Sequence, residues 1–336
     1  MITAMSSEFF PSFTNVIIPA NDNVQLFARI RGIDPGDRNK PILVLIHGYP
    51  QSSWEFRFAP QYLPPDLPLF IPDLPGYGES TKSVPTTETS AYSKHAIGRD
   101  ILDGLAKCLG LVAGGGGPKQ KVILCGHDRG ARIIQRIAFD FEDYPLFDIL
   151  GIVLGDIVPI TVQFQSFANP VHAAATYHWS LLAAPYPIPE TMIEKYGGPE
   201  WVGNCLTGWG GTSEKGRANF LGPTGVEVFK QHFIKPSVIA ASCADYRAAA
   251  HIDAQLEAKD HEEGKRIKFQ TLVVYSKKYL GSRYDVTAVW REYMSYKERL
   301  TTCGIEEVGH FCFEEDPMPC YVAITDWMRE VLRLDM

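Results

Sequence analysis

The sequence predicts an α/β fold in which a mostly parallel central sheet carries helices on both faces and a helical insertion lies over the sheet. Short β-rich apolar runs alternate with helical stretches, a pattern typical of parallel strands joined by right-handed crossovers. Residues 159–255 break this alternation because they contain no convincing buried strand and are rich in aromatic residues, alanine, proline and glycine. A length of 336 residues suits one large core with an insertion.

The predicted strands begin with a pair and continue as buried apolar runs. Thr14–Ala20 and Val24–Arg31 are separated by the turn-forming cluster Asn21-Asp22-Asn23. Ile42–Ile46 is a continuous apolar run, as a strand buried on both faces requires. Further runs of this kind are Leu69–Ile71, Val122–Cys125, Leu150–Leu154 and Thr271–Tyr275.

The helical stretches divide the chain into a core and a cap. The core is predicted at residues 1–158 and 256–336, and the helical cap at 159–255. The Gly114–Gly117 run is expected to be a surface connection, because a phosphate-binding loop would follow a strand and open a helix. Helices are predicted at Tyr92–Leu109, Ala131–Phe141, Val286–Tyr296 and Pro319–Leu334, with cap patches at Pro170–Leu182 and Val238–Asp253.

Composition and charge exclude several classes of protein. The apolar fraction of 45% and charged fraction of 21% exclude disorder, collagen and coiled coil as the main architecture. The net charge of −7 argues against a nucleic-acid partner. No apolar run approaches the roughly 20 residues of a membrane span, and residues 1–13 lack the pattern of a secretory signal. Seven cysteines without C-x-x-C spacing suit buried free thiols in a reducing compartment, so we expect a cytoplasmic protein.

The segment Lys121–Arg132 joins a predicted strand to a predicted helix through a turn of small residues. Its Gly126-x-Asp128-x-Gly130 pattern has the form of a nucleophile elbow, in which glycines relieve crowding around the central side chain. The usual occupant is serine, whereas an aspartate is already ionised and attacks carbon through an oxygen to form an ester. Asp128 therefore predicts a substrate that carries a halide or an epoxide oxygen on an sp³ carbon. The structural alternative is a helix N-cap.

Two other segments support a catalytic role for Asp128. His47–Pro50 follows the third predicted strand, where one backbone N–H of an oxyanion hole is expected, and the residue after the nucleophile supplies the other. These donors are Tyr49 and Arg129. His310 lies between a presumed strand and the last helix, so the order of nucleophile, acid and histidine is that of α/β-hydrolases.

The acid of the predicted triad has two candidates. Asp156 closes the strand Leu150–Leu154, and Asp285 follows the strand Thr271–Tyr275. Either position can reach Nδ1 of His310. Asp156 is preferred, and Asp285 remains the alternative.

Several motifs carry a family resemblance that covers the chain from about Asn21 onward. They are H-G-Y-P-Q (His47–Gln51), D-L-P-G-Y-G-E-S (Asp73–Ser80), G-H-D-R-G-A-R (Gly126–Arg132), Y-H-W-S (Tyr177–Ser180), C-A-D-Y-R-A-A-A (Cys243–Ala250) and G-H-F (Gly309–Phe311). With these motifs the chain resembles the haloacid-type dehalogenases of the α/β-hydrolase superfamily, fluoroacetate dehalogenases among them, with epoxide hydrolases as close relatives. The D-R-x-x-R and H-W pairings distinguish this family from other hydrolases, whereas the first two motifs occur in many hydrolases.

The resemblance implies that Asp128 is the nucleophile, His310 the base and Asp156 the acid. It also implies that Arg129 and Arg132 hold the substrate carboxylate. Arg129 follows the elbow and Arg132 lies one helical turn beyond Asp128, so both guanidinium groups can converge near the nucleophile and bind an anion in bidentate fashion. A structural ion pair is the alternative for Arg132.

The resemblance further implies a halide pocket lined by His178, Trp179 and Tyr246. A leaving fluoride is strongly hydrated, and an imidazole N–H, an indole N–H and a phenol O–H replace that water. The structural alternatives are an aromatic core patch for Tyr177–Trp179 and a packing role for Tyr246.

The implied reaction is cofactor-free hydrolytic dehalogenation of a short 2-haloacid. Asp128 displaces the halide to give an alkyl-enzyme ester, and His310 activates the water that attacks this ester. No metal or organic cofactor is expected, since no His/Cys/Asp cluster has ligand spacing. The expected partners are a small-molecule substrate and, by family resemblance, a second copy in a homodimer.

The chain departs from the family pattern at three places, which leaves the substrate open. Ala131 stands where the family commonly has a second glycine, and the Gly114–Gly117 run is an insertion. The segment Lys277–Arg283 (K-K-Y-L-G-S-R) lies near the presumed sheet edge, where it can reshape a substrate entrance.

Two rival functions remain open. An epoxide hydrolase uses the same aspartate and histidine, with lid tyrosines that protonate the opening ring. A catalytically idle or biosynthetic binding protein would retain only the fold and pocket. The discriminating feature is whether His178 and Trp179, or two tyrosine hydroxyls, face the space above Asp128. The cap tyrosines available for the second arrangement are Tyr177, Tyr186, Tyr196 and Tyr246.

Overall fold

The computed structural model describes residues 8–112, 114, 117–222 and 224–335. Its strands are β1 (Thr14–Asn21), β2 (Val24–Arg31), β3 (Ile42–Ile46), β4 (Leu69–Pro72), β5 (Thr81–Lys82), β6 (Gln120–His127), β7 (Phe147–Gly155), β8 (Gln270–Ser276) and β9 (Leu300–Ile305). Among the described residues they form one sheet in the order β1-β2-β4-β3-β6-β7-β8-β9, with β5 paired to β2. Pairing is antiparallel from β1 to β4 and parallel from β4 to β9. The predicted mostly parallel sheet is therefore confirmed.

The helices follow the strands and fill the segment between β7 and β8. Those of the first half are α1 (Ala59–Tyr62), α2 (Lys94–Cys108) and α3 (Arg129–Phe139). Between β7 and β8 lie α4 (Ile160–Gln165), α5 (Pro170–Ala175), α6 (His178–Leu182), α7 (Ile188–Tyr196), α8 (Gly198–Trp209), α9 (Glu214–Phe220), α10 (Val226–His232), α11 (Pro236–Ala248) and α12 (Ala254–Glu262). The last three are α13 (Val286–Arg291), α14 (Cys312–Glu315) and α15 (Pro317–Glu330).

The central strands are buried along their whole length, which fixes their place in the middle of the molecule. Every residue of β3 is buried, and a strand without an exposed face needs cover on both sides of the sheet. Helices α2 and α3 pack against each other and against β1, β6 and β7, while α15 packs against β8 and β9. Because β3, β6, β7, β8 and β9 are parallel, their carboxyl ends meet along one edge of the sheet, where sites form in such folds.

The predicted strands are present, and the structure extends several of them. The runs Ile42–Ile46 and Val24–Arg31 coincide with β3 and β2. β6 and β7 are longer than their apolar runs because polar and small residues at their ends still pair: Gln120 with Phe147 and His127 with Gly155. The sequence LTTCGI of β9 lies at the sheet edge and has a half-exposed pattern, so it shows no apolar run.

Two predicted helices extend four or more residues too far: Pro319–Leu334, since the last helix ends at Glu330, and Val286–Tyr296. The expected stretch Val286–Tyr296 ends at Arg291. The backbone of Ile267 binds the next residues instead, because its N–H donates to the Tyr293 carbonyl and its carbonyl accepts from the Ser295 N–H, each at 2.9 Å. These bonds replace the helical pattern with a short bridge.

The predicted cap is helical, but its boundaries stay a prediction. The expected patch Pro170–Leu182 is divided into α5 and α6, and Val238–Asp253 falls on α11 and a π-helical turn at Ala249–Asp253. The proposed boundary at residue 255 lies inside the continuous helical run from α11 to α12.

Two sequence predictions fall partly on residues that the structure does not describe. Gly115 and Gly116 of the glycine run, and the first seven residues of the segment considered for a secretory signal, lie outside the described residues. All seven cysteines are described and free, and five of them are buried. No helix in the described part of the chain is long and apolar enough to cross a membrane.

Candidate active site

The turn between β6 and α3 holds Asp128 at the carboxyl end of the sheet. Asp128 has φ 44° and ψ −113°, and its side chain does not cap the helix. Such a backbone is strained for a residue with a side chain. Its neighbours must be small, since a Cβ on Gly130 would lie 2.0 Å from the Ile46 carbonyl oxygen and one on Gly126 would lie 2.5 Å from the Gly130 carbonyl carbon. The G-x-D-x-G segment therefore has elbow geometry rather than that of an N-cap.

A backbone donor of the loop after β3 holds the Asp128 carboxylate. The Tyr49 N–H donates to Asp128 Oδ2 at 3.0 Å. Gly48 permits this approach, because a Cβ there would lie 2.6 Å from the Cβ of Asp128. Burial alone would raise the pKa of Asp128, but His310, Arg129 and Arg132 lower it below its ordinary value. Asp128 is thus an ionised carboxylate with one oxygen, Oδ2, already bound.

His310 and Asp156 form the second part of the site. His310 Nδ1 lies 2.7 Å from Asp156 Oδ2. The other oxygen of Asp156 accepts hydrogen bonds from the Ser276 N–H at 2.7 Å and the Ser276 hydroxyl at 2.6 Å. Asp285 is exposed and caps α13 by accepting from the Ala288 N–H at 3.0 Å. Of the two candidate acids, the structure brings Asp156 to the histidine.

Buried groups beneath His310 fix its backbone. Its N–H donates to the Trp209 carbonyl at 2.9 Å, and its carbonyl lies 2.8 Å from His127 Nε2. His127 in turn forms an ion pair with Glu55, with Nδ1 2.9 Å from Oε1. Burial opposes the charge on His127, but the Glu55 carboxylate prevails and raises the pKa of His127 to about 10. His127 is therefore a cation beneath the site at neutral pH.

Asp128, Asp156 and His310 line one small cavity between the sheet edge and the helices that follow β7. Its volume is about 30 Å³, and a single water needs about 10–15 Å³ measured in this way. Every predicted site residue except Arg129 contributes to its wall. The unpredicted wall residues are Gln163, Thr176, Trp209, Tyr279, Leu280 and Arg283.

His178, Trp179 and Tyr246 meet at the side of the cavity formed by α6 and α11. The ring centroid of Trp179 lies 5.4 Å from that of Tyr246, and that of His178 lies 5.9 Å from it. Burial lowers the pKa of His178 to about 3, so its imidazole is neutral. Burial raises the pKa of Tyr246 well above its ordinary value, so its phenol keeps its proton. Both side chains retain a proton to donate.

The two predicted carboxylate-binding arginines have different surroundings. Arg132 lines the cavity, and its Nη1 donates to the Val158 carbonyl at 2.8 Å. Arg129 instead binds Asp245, with Nε 2.8 Å from Oδ2 and Nη2 3.1 Å from Oδ1. Asp245 thus occupies two nitrogens of Arg129, and the role of Arg129 and Arg132 in binding a substrate carboxylate stays a prediction.

Three buried nitrogens of the predicted site residues have no hydrogen-bond partner among the described residues. They are Nη1 of Arg129, Nε of Arg132 and Nδ1 of His178. Leaving a buried polar atom unpaired costs about 1–3 kcal/mol, so native structures rarely leave such groups unmatched. Arg132 lines the cavity, so an anion there would satisfy its Nε donor.

Arg129 belongs to a buried cluster of charged side chains whose formal charges sum to zero. Asp245 also binds the Lys94 ammonium and accepts a hydrogen bond from the Tyr77 hydroxyl at 3.1 Å. Lys94 lies 3.7 Å from Asp253. Two cations and two carboxylates thus compensate each other outside the cavity wall.

Sequence reasoning missed several of these residues for identifiable reasons. Asp245 lies within the C-A-D-Y-R motif, but its partner Arg129 is 116 residues away. Trp209 ends α8 and reaches the site only through the fold of the cap helices. Tyr279 and Arg283 belong to the segment Lys277–Arg283. Its departure from the family pattern is the sequence feature that could have indicated their place in the cavity wall.

Two groups of described residues have the spacing of a metal site, with candidate ligand atoms within 4.8 Å of one another. One is His127, Asp156 and His310, in which the hydrogen bonds above already engage each residue. The other is His95, Asp140 and Asp143, but Arg136 and Lys265 already bind Asp140. Neither set therefore offers three ligand atoms that are all free of other partners.

Comparisons with known proteins agree with the fold. A model of the alpha/beta hydrolase family matches residues 43–321. A fluoroacetate dehalogenase of Burkholderia sp. is 31% identical over 278 residues, which cover 82% of this chain and 83% of that protein. A soluble epoxide hydrolase of Corynebacterium sp. (strain C12) is 25% identical over 287 residues, with 82% and 85% covered. A solved structure from Nostoc sp. PCC 7120, described as an alpha/beta hydrolase, has a TM-score of 0.80 and 29% identity, covering 96% of this chain and 99% of that one.

Proposed function

Because the chain belongs to the alpha/beta hydrolase family, we propose that it is a cofactor-free hydrolase that removes the halogen from short 2-haloacids through an ester on Asp128. One observation carries the proposal. The Asp128 carboxylate, held by the Tyr49 N–H at 3.0 Å, shares a cavity of about 30 Å³ with the His310–Asp156 pair and with Arg132, whose buried Nε is unpaired among the described residues.

The first step is displacement at the α-carbon of the haloacid. Tyr49 binds Oδ2 of Asp128, so Oδ1 is the attacking oxygen. A bond forms between Oδ1 and the α-carbon as the carbon–halogen bond breaks, and the halide leaves with the electron pair. Proton donors on His178, Trp179 and Tyr246 replace the water of the departing halide.

The second step is hydrolysis of the ester. The Nδ1–H of His310 donates to Asp156, which leaves Nε2 as the base. His310 removes a proton from water, and the resulting hydroxide attacks Cγ of Asp128. Negative charge develops on Oδ2, where the Tyr49 N–H already lies and where the Arg129 N–H is the second proposed donor. The bond from Cγ to the ester oxygen then breaks, and the 2-hydroxy acid takes the proton from His310.

The surroundings of the cavity support a small carboxylate as substrate. A volume of about 30 Å³ suits a molecule of a few heavy atoms better than an aryl epoxide. Nη1 of Arg129 and Nε of Arg132 are unpaired donors on permanent cations. The substrate carboxylate is expected to bind Arg132, which lines the cavity with Asp128, and Arg129 is its second predicted partner.

An epoxide hydrolase is the second candidate, because three tyrosines line the cavity. The hydroxyl of one of them, Tyr49, accepts a hydrogen bond from the Trp201 indole N–H at 2.5 Å. Tyr246 and the core residue Tyr279 both contribute to the wall. Of the cap tyrosines first considered, the other three are exposed: Tyr177 is 48%, Tyr186 54% and Tyr196 58% exposed. This distribution favours the dehalogenase, in which His178 and Trp179 face the leaving group.

Activity assays separate the candidates. Purified protein is incubated with fluoroacetate, chloroacetate and styrene oxide, with halide measured by ion chromatography and diol by liquid chromatography. We expect halide release without diol, abolished in Asp128→Asn and retained in Asp285→Asn, an exposed acidic control. Diol without halide would establish the epoxide hydrolase, and neither product would indicate an idle or biosynthetic binding protein.

The remaining features of the proposal are a cap formed by residues 159–255, a cytoplasmic location and a homodimer. The oligomeric state of the protein is tested by light scattering coupled to size-exclusion chromatography, which measures its molar mass. A mass twice that of the 37.5 kDa chain is expected, and a monomer would remove the dimer from the proposal.

A further inference from the structure

The segment Lys277–Arg283 follows β8 and forms one rim of the cavity. Its middle residues are anchored by Ser276, whose hydroxyl accepts from the Leu280 N–H at 3.0 Å and whose carbonyl accepts from the Gly281 N–H at 2.9 Å. The same Ser276 hydroxyl donates to Asp156. The segment is therefore tied to the acid of the His310–Asp156 pair and holds its side chains at fixed positions relative to the site.

Arg283 is the cationic side chain that this segment contributes to the cavity wall. Its guanidinium carbon lies 4.4 Å from the centroid of the Tyr279 ring, and that ring centroid lies 5.6 Å from the imidazole centroid of His310. Stacking on an aromatic face orients a guanidinium while leaving its edge free to bind an anion. The charge of Arg283 also acts on His178 across the cavity and contributes to lowering the pKa of that imidazole.

Arg283 differs from the other cations of its segment in its partners. Lys277 pairs with Glu306 at 2.5 Å and Lys278 with Glu307 at 2.6 Å, both at the surface. In the described part of the chain, no carboxylate lies within 4 Å of the Arg283 guanidinium. Arg283 thus places an uncompensated positive charge on the wall.

The charges around the cavity indicate why binding of a substrate carboxylate needs the positive charge of Arg283. The Arg129 cation is compensated by Asp245, which it binds through two nitrogens. On the cavity wall, Asp128 and Asp156 are the carboxylates and Arg132 and Arg283 the arginines, and His310, Arg129 and Arg132 together lower the pKa of Asp128. A substrate carboxylate adds one further negative charge, and charge-assisted hydrogen bonds to a partly buried anion require a matching cation.

We propose that Arg283 supplies the charge that binds the carboxylate of the substrate, as a third arginine of this site beside Arg129 and Arg132. The inference deepens the proposed function, on which it rests for the identity of the ligand. Arg283 determines specificity, since its charge selects haloacids over neutral haloalkyl compounds of the same size. The segment Lys277–Arg283 is then a substrate-selecting rim.

The test measures binding of an unreactive carboxylate and of its neutral analogue. Acetate and acetamide are titrated into the protein by isothermal calorimetry or by the fluorescence of Trp179 and Trp209, which line the cavity. The variants are Arg283→Gln and Arg283→Lys, and the matched control is Arg291→Gln, an exposed arginine at the end of α13. Because acetate has no leaving group, its affinity does not depend on turnover.

The expected result is that Arg283→Gln weakens acetate binding about tenfold or more. Arg283→Lys should recover part of this loss, acetamide binding should be unaffected, and Arg291→Gln should match the wild type. With chloroacetate, Arg283→Gln should raise KM by a larger factor than it lowers kcat.

Two results of the binding experiment would overturn the inference, and one result of the activity assay would do so as well. One is acetate affinity in Arg283→Gln equal to that of the wild type, which would leave Arg129 and Arg132 as the whole carboxylate site. The other is a wild type that does not bind acetate. Halide release from chloroacetate with no dependence on Arg283 would refute the inference and leave the proposed function intact. Acetate binding that depends on Arg283, together with no halide release, would support the role of Arg283 in anion binding and refute the proposed dehalogenase function.

Discussion

Asp245 binds Arg129 through both carboxylate oxygens, at 2.8 Å from Nε and 3.1 Å from Nη2, although 116 residues separate the two in the chain. Arg129 follows the predicted nucleophile directly, and Asp245 precedes Tyr246 of the cavity wall. The pair therefore joins the elbow to the helix that carries a proposed leaving-group donor. Both residues are fully buried, so the contact contributes to both the stability and the shape of the site.

Asp245→Asn should destabilise the protein strongly. The substitution leaves Arg129 and Lys94 buried without their shared carboxylate, and removing one partner of such a group costs about 3–5 kcal/mol. Urea denaturation measures the free energy of unfolding. Glu306→Gln, which removes an exposed partner of Lys277, should leave the denaturation midpoint unchanged. Equal stability of Asp245→Asn and the wild type would show that the pair is dispensable.

Gly130→Ala should disrupt the elbow. Its Cβ would lie 2.0 Å from the Ile46 carbonyl oxygen and 2.7 Å from that of His47, and relief requires the strand end and the helix start to separate. We expect a loss of more than about 3 kcal/mol, or no folded protein. The control is Gly208→Ala, an exposed site in α8 with no atom within 4 Å of the added methyl, where stability should rise by about 0.5–1 kcal/mol. A normally stable Gly130→Ala would contradict the geometry.

The His127–Glu55 pair should make the protein sensitive to alkaline pH. The folded-state pKa of His127 is about 10, above its ordinary value of 6.5. A raised pKa means that its stabilising contribution is complete below pH 6.5 and is lost as pH rises through 10. The free energy of unfolding of the wild type should therefore fall between pH 7 and 10 more steeply than that of His127→Asn. The exposed-histidine variant His251→Asn should follow the wild-type curve, and parallel curves for wild type and His127→Asn would refute the assignment.

His310→Gln should trap the ester. Without the base, displacement by Asp128 still occurs, but hydrolysis of the ester does not. Incubation with chloroacetate should add the mass of one carboxymethyl group, located at Asp128 by peptide mass spectrometry, with one halide released per site. The double variant Asp128→Asn/His310→Gln should carry no adduct. An unmodified His310→Gln protein that still turns over would exclude His310 as the base.

The sequence predicts the elbow well because its requirements are local. Gly126, Asp128 and Gly130 are neighbours, and the apolar run before them predicts the strand on which they stand. The choice between Asp156 and Asp285 is not local, since both follow strands, and only the fold brings Asp156 within 2.7 Å of His310. The engagement of Arg129 by Asp245 and the entry of Trp209 and Arg283 into the wall depend on contacts distant in the chain. Charge and motif patterns alone do not encode such contacts.

The origin of the product oxygen tests most directly whether Asp128 attacks the substrate. A single turnover of chloroacetate by excess protein is run in H₂¹⁸O, and both the product and the peptide containing Asp128 are analysed by mass spectrometry. Attack by Asp128 Oδ1 followed by hydrolysis at Cγ predicts unlabelled glycolate and one ¹⁸O in the Asp128 carboxylate. Glycolate that carries ¹⁸O in this first turnover, with Asp128 unlabelled, would mean that water attacks the substrate directly and would contradict the ester mechanism.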